Sequence, residues 1–213
     1  MNYELLKECE LFVKELHKGQ VDKSGKDYYH HLYEVADNAK DLCVKLKLDD
    51  FVNDCALIGL LHDSIEDCNL DVEVIKEKYG VDVANGVLLM TKDESLVYGK
   101  DERENPLFDL KYVGYLVNLY KEYKKGNEVA KKAMIVKMAD LKSNMNWKRL
   151  VENFDDLTKN QKKSVAKYHF AYCLLMSVLV GTFRLDVRNF ELVLKSVKFD
   201  PSNLEKEVSH FIS

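Results

Sequence analysis

Proline and glycine are scarce in this chain: two and nine, respectively, among 213 residues. Few backbone breaks are therefore obligatory, and with Leu, Lys, Val, Glu and Ala plentiful, helix is the default reading. Paired cysteine motifs are missing too. The five cysteines (Cys9, Cys43, Cys55, Cys68, Cys173) are odd in number, scattered, and include no Cys-x-x-Cys, which points to reduced thiols in a cytoplasm-like compartment. There is no excess of basic charge; a net charge of −4 argues against a general nucleic-acid binder. The longest apolar run, Ala171 to Gly181, is too short to span a bilayer. Met1-Asn2-Tyr3-Glu4 opens neither a basic n-region nor a cleavable apolar core. No internal repeat, low-complexity tract or linker interrupts the chain. A hydrophobic content of 46% against 32% charged residues suits one globular domain. The expectation is a single-domain, all-α, cytoplasmic protein with no membrane and no nucleic-acid partner.

The helical pattern can be followed along the chain. Leu5, Leu6, Cys9, Phe12, Val13 and Leu16 share one face of a helix over 3–17, with Lys18-Gly19 as its stop. A polar loop over 20–27 leads to a helix carrying His31, Leu32, Val35, Ala36, Ala39, Leu42, Cys43 and Leu46. His31 precedes Val35 by four residues and so faces inward, whereas His30 is rotated away. A buried helix over about 50–67 follows, then a short helix ended by Gly80 and another over 83–90. The polar stretch from Thr91 to Pro106 is long for a connector and is a candidate lid or binding loop. Leu107–Tyr123 is a helix with a tyrosine stripe read as core packing. Ala130–Leu141 and Thr158–Val180 are core helices, residues 182–199 are ambiguous between helix and strand, and Asp200-Pro201 reads as the capped start of a short last helix.

Two of these helices end in the wrong residues for a core. Cys55-Ala56-Leu57-Ile58 runs through Gly59-Leu60-Leu61 straight into His62-Asp63, with Glu66 and Asp67 one turn on. Ala133 to Ala139 is apolar except for Lys137 and ends in Asp140, with Asn144 one turn later on the same face. An unpaired buried carboxylate costs several kcal/mol or more, so such groups are paired, neutralised or bound to metal. For Asp140, a salt bridge to Lys137 is the competing explanation. Together His31, His62, Asp63 and Asp140 offer two imidazoles and two carboxylates from three helices, a donor set suited to Mn²⁺, Fe²⁺, Co²⁺ or Zn²⁺. Glu66 and Asp67 are not needed as ligands and would sit where a carboxylate can take a proton from an attacking water.

The order His31, His62-Asp63, Asp140 resembles that of the HD superfamily of metal-dependent phosphohydrolases. Within it, the chain is similar to the hydrolase domain of RelA/SpoT-type enzymes and their small stand-alone relatives, which remove the 3′-pyrophosphate of (p)ppGpp. Leu60-Leu61-His62-Asp63-Ser64-Ile65-Glu66-Asp67 resembles that family's LLHDxxED signature, and Val136-Lys137-Met138-Ala139-Asp140 with Asn144-Met145 resembles its KMAD and Asn signature. His17-Lys18-Gly19-Gln20 through Tyr28 and His31 to Val35-Ala36 resembles its opening motif, and Thr91-Lys92 its TK turn. The resemblance covers roughly residues 12–180. It implies an HD-type helical bundle over 1–181 with a central Mn²⁺ held by His31, His62, Asp63 and Asp140, and residues 182–213 as an extension packed on the same domain. It further implies Glu66 and Asp67 as the groups that position or activate the hydrolytic water, and Asn144, Lys23 and Tyr168 as contacts to a small nucleotide substrate.

Three positions depart from the pattern. Asp22 stands where the family has an arginine that packs on guanine, Leu32 stands for the proline after the first histidine, and Lys142 lies near an arginine or histidine of many members. The first departure predicts a weaker preference for guanine, with Asp22 repelling a polyanion if it faces the pocket. Two other readings share the motifs: an HD-type nucleotidase or phosphatase acting on another nucleotide, and a non-catalytic nucleotide-binding module. Glu66 and Asp67 argue against the second, since the fold alone does not require them. Residues 182–213 are too short for a synthetase domain.

Overall fold

The computed structural model describes residues 2–92 and 105–211. The described residues form eleven α-helices, with short 3-10 turns between some of them and no named strand. Helix α1 (Tyr3–Leu16) is capped by the side chain of Asn2, which accepts from the backbone of Leu5. Helix α2 (Tyr29–Lys45) buries the face containing His31, Leu32, Val35, Ala36 and Ala39. Helix α3 (Val52–Leu61) is buried on nearly all sides from Cys55 onward, the burial that its continuous apolar sequence demands.

The sequence pattern suggested one helix from 50 to 67, but the structure breaks it. A 3-10 turn over Asp49–Phe51 leads into α3, the chain turns at His62 and Asp63, and α4 (Ser64–Cys68) follows. At the break, the Gly59 carbonyl lies 2.8 Å from the His62 ring nitrogen Nδ1. The one-turn spacing survives: the Asp67 amide donates to the Asp63 carbonyl at 2.8 Å.

Helices α5 (Val72–Tyr79) and α6 (Val81–Met90) come next, with Gly80 between them at φ 94°. Residues 93–104, the greater part of the expected lid or binding loop, lie outside the described residues. Helix α7 (Leu110–Lys124) is capped by Asp109 and buries Tyr112, Tyr115 and Tyr120. Helix α8 (Glu128–Asn144) is the central post, buried from Ala133 to Leu141 with Lys137 and Asp140 included. Helix α9 (Lys159–Leu179) starts with a capping box between Thr158 and Gln161. The ambiguous stretch resolves as α10 (Val187–Ser196), which packs on α7. The last helix, α11 (Leu204–Ser209), packs on α9 and begins later than the Asp-Pro signal suggested, because Asp200 caps the turn at Ser202 instead.

One close approach fixes the site. A Cβ on Gly59 would stand 3.0 Å from the Ala36 Cα, so only glycine lets α3 lie this tightly on α2. Together with α8, this brings His31, His62 and Asp140 to one point inside the bundle. No helix among the described residues is long and apolar enough to cross a membrane.

Candidate metal centre

The three helices meet at the floor of a cleft of about 490 Å³. His31, His62 and Asp63 each offer a ligand atom there, all within 4.8 Å of one another. The two imidazoles are edge to face with centroids 5.5 Å apart. Asp140 stands beside this group, its Oδ1 3.4 Å from His31 Nε2 and 3.9 Å from His62 Nε2. His30 is exposed, as its register predicted, and its ring lies tilted against that of Tyr29.

His62 carries the most telling geometry. Its Nδ1 donates to the Gly59 carbonyl, so in the neutral ring the lone pair sits on Nε2. That Nε2 is buried and only 2.8 Å from Asp63 Oδ2, yet the two are not aligned as hydrogen-bond donor and acceptor. A buried polar nitrogen without an aligned partner is costly. Two ligand atoms set side by side fit a shared third body such as a cation better than they fit each other. The mixed nitrogen and oxygen donors suit a divalent ion, and the residues present fit one.

The electrostatics agree with this. Burial opposes charge on His62, but the neighbouring carboxylates of Asp63 and Asp140 outweigh it and lift the imidazole to about 9. Burial would raise both carboxyls; His62 nevertheless pulls Asp63 below the usual range, helped by a 2.6 Å hydrogen bond from the Tyr28 hydroxyl. Lys137 does the same for Asp140. The competing explanation for Asp140 is thus present alongside the histidine contacts. Its Oδ2 accepts from Lys137 at 2.8 Å, while Oδ1 faces the histidines and accepts from the Asn144 amide. Lys137 itself is buried over the rings of Tyr112 and Tyr115, so part of that tyrosine stripe lines the cleft.

Glu66 and Asp67 line the same cleft. Lys92 holds Glu66 through both its backbone amide and its ammonium, the latter at 2.9 Å. Asp67 is exposed at the rim, where partial desolvation and the charge of Asp63 push its carboxyl upward. On the wall, Lys23 and Tyr168 meet, the ammonium 3.3 Å from the phenol oxygen and 5.5 Å from the ring centre.

Asp22 also lines the cleft, but it is not a free negative charge. Its Oδ1 accepts from the Ser24 amide and hydroxyl and from the Lys26 amide, and its Oδ2 lies 3.5 Å from Arg149 Nη1. The expected repulsion is therefore offset, and a guanidinium does line this cleft, supplied from residue 149. Arg149 and Lys167 are lining residues that the sequence reading missed, and Tyr28 is one that it quoted only within the opening motif. None lies in the apolar runs that drew attention to the ligands.

The HD domain family model matches residues 28–145, more than half of the chain. A GTP pyrophosphokinase of Myxococcus xanthus is 36% identical over 89 residues, covering 42% of this chain and 11% of that protein. A guanosine-3′,5′-bis(diphosphate) 3′-pyrophosphohydrolase of Aquifex aeolicus (strain VF5) is 34% identical over 94 residues, 44% of this chain and 12% of that one. The matched stretch thus spans about a tenth of the length of these curated relatives. A solved structure described as a metazoan ortholog of SpoT that hydrolyzes ppGpp and plays a role in starvation responses superposes with a TM-score of 0.54 at 20% identity, over 97% of this chain and 93% of that chain. That likeness shows a shared helical fold. The family match runs from Tyr28, the residue that holds Asp63, past Asn144, which holds Asp140, and on that match the chain belongs to the HD domain family.

Proposed function

We propose that this protein is a divalent-metal-dependent phosphohydrolase that removes the 3′-pyrophosphate of (p)ppGpp or a related nucleotide, with Mn²⁺ as its ion. The observation that carries the reading is the convergence of His31, His62 and Asp63, with Asp140 beside them, at the floor of a cleft that also holds Glu66 and Asp67. Similarity to a curated 3′-pyrophosphohydrolase supports the choice of bond and substrate.

In this reading His31, His62, Asp63 and Asp140 hold the ion, which when bound supplies Lewis-acid polarisation of a phosphoryl oxygen and activation of water at neutral pH. The chain's own groups do the rest. Water adds to phosphorus, the phosphorus–oxygen bond to the ribose 3′-oxygen breaks, the proton from the water passes to Asp67, whose raised carboxyl suits a general base, and the departing 3′-oxygen takes up a proton from solvent. Glu66, fixed at both oxygens by Lys92, orients that water. Lys137 and Asn144 hold Asp140 in place, and Asn144 also touches the sugar. Lys23 and Tyr168 meet the nucleotide at the wall. Residues 182–213 belong to the same domain, a reading supported by the packing of α10 on α7 and of α11 on α9. Five free thiols suit the cytoplasm as the place of action.

The test is to incubate purified protein and Mn²⁺ with a panel of 3′- and 5′-phosphorylated nucleotides and identify products by mass. The reading predicts GDP and pyrophosphate from ppGpp. Release of phosphate from 5′-nucleotides instead would make the protein a nucleotidase, and no turnover on any substrate would make it a binding module.

A further inference from the structure

A metal-ligating histidine works through the nitrogen that carries no proton, and the partner of its other nitrogen decides which one that is. For His62 the decision is local, because a backbone carbonyl can only accept. For His31 it is not. Its Nδ1 lies 3.0 Å from the Ser143 hydroxyl, a group that can donate or accept.

The next link removes the ambiguity. Ser143 Oγ lies 2.9 Å from Glu34 Oε2, and a carboxylate can only accept. The single hydroxyl proton is thereby committed to Glu34, so Ser143 must accept from His31. Nδ1 then carries the proton, and the lone pair of Nε2 faces Asp140 and the cleft. Glu34 comes from α2, three residues after His31, and Ser143 reaches between them from α8. Ser143 is wholly buried. On its outer side, Glu34 Oε2 lies 3.7 Å from Arg149, which Asp22 holds from the other flank. A continuous polar chain thus runs from the cleft wall to the floor.

We propose that Glu34, acting through Ser143, sets the tautomer of His31, and that these two are positioning residues for the metal centre. The proposal rests on the metal-centre reading and names residues that lie outside the ligand set. Loss of either would let His31 protonate at Nε2, the nitrogen needed for the ion.

The experiment reads both the tautomer and the ion. In metal-free protein at pH 8, long-range proton–nitrogen NMR of the imidazoles should show His31 protonated at Nδ1. Glu34→Ala should shift part of the His31 population to the Nε2-protonated form and weaken Mn²⁺ binding, measured by chelator competition, by about 10- to 100-fold. Ser143→Ala should weaken it similarly, and the double variant no further, since both act on one link. Glu34 is 38% exposed, so Glu34→Ala carries the test even if a change at buried Ser143 disturbs folding. An unchanged tautomer and affinity in Glu34→Ala, while His31→Ala loses the ion, would overturn this proposal alone. Full Mn²⁺ affinity in His31→Ala would remove the metal-centre reading and this proposal with it.

Discussion

At the floor of the cleft, His31, His62 and Asp140 are themselves buried, set on the inward face of α2, at the end of α3 and along the buried length of α8, and every neighbour limits where they can go. At the wall, Asp22, Lys23, Arg149 and Tyr168 come from a turn, a short 3-10 segment and the half-buried face of α9. The floor is rigid because its charges are expensive: each is paired, hydrogen-bonded or aimed at a common point. The wall is held by longer polar contacts: Arg149 lies 3.5 Å from Asp22 and 3.7 Å from Glu34, and Lys23 lies 3.3 Å from the Tyr168 oxygen. Chemistry that must not drift sits on the first, and recognition that can be exchanged sits on the second. The Asp22–Arg149 pair, which sets an acid and a guanidinium side by side on the cleft, belongs to this second kind.

The sharpest way to break this contrast is at Asp140. Asp140→Ala should abolish Mn²⁺ binding and turnover, and it should also cost roughly 3–5 kcal/mol of stability by leaving Lys137 buried and unpaired. Chemical denaturation alongside a metal-binding titration checks both effects. Loss of stability with metal affinity intact would mean that Asp140 serves Lys137 alone.

Next come the two carboxylates at the edge of the floor. Glu66→Gln and Asp67→Asn should keep the fold and most of the metal while lowering kcat by about 10²-fold or more. If instead metal is lost along with activity, both are ligands or supports.

How much of this contrast can be read from sequence follows from the same physics. The floor is legible because a histidine or aspartate at the end of an apolar run is anomalous, and the anomaly is local. His31 needed only its register against Val35. Glu34, Ser143, Tyr28 and Arg149 carry no such mark; they are ordinary polar residues until α2, α8 and the loop over 20–28 bring them within hydrogen-bond reach. The break at His62-Asp63 was hidden for a related reason. No proline or glycine stands at it, and only the carbonyl of Gly59 facing a side chain shows that the helix has ended. At the C-terminus the Asp-Pro signal was genuine turn chemistry, but it served a turn three residues ahead of the helix.

A smaller effect concerns pH at the floor. In the metal-free protein His62 is lifted to about 9, so below that pH it is protonated, and an incoming ion must displace its proton. Apparent Mn²⁺ affinity should therefore rise with pH, by about tenfold per unit for one displaced proton, and level off above about pH 9. A flat profile between pH 7 and 9 would show that His62 Nε2 is not a ligand.

The smallest effect belongs to the wall. Arg149→Ala should reduce the preference for ppGpp over its adenine counterpart several-fold, corresponding to about 1 kcal/mol of stacking, with kcat on ppGpp little changed. Equal KM ratios in wild type and variant would confine Arg149 to its ion pairs with Asp22 and Glu34.

The central claim is that four side chains from three helices hold one ion. Anomalous diffraction at the manganese edge, from crystals grown with Mn²⁺, tests it most directly. The account predicts a single peak at about 2.0–2.3 Å from His31 Nε2, His62 Nε2 and one carboxylate oxygen each of Asp63 and Asp140. A peak elsewhere, or none in the cleft with Asp140 still bonded to Lys137 and turned from the histidines, would contradict it.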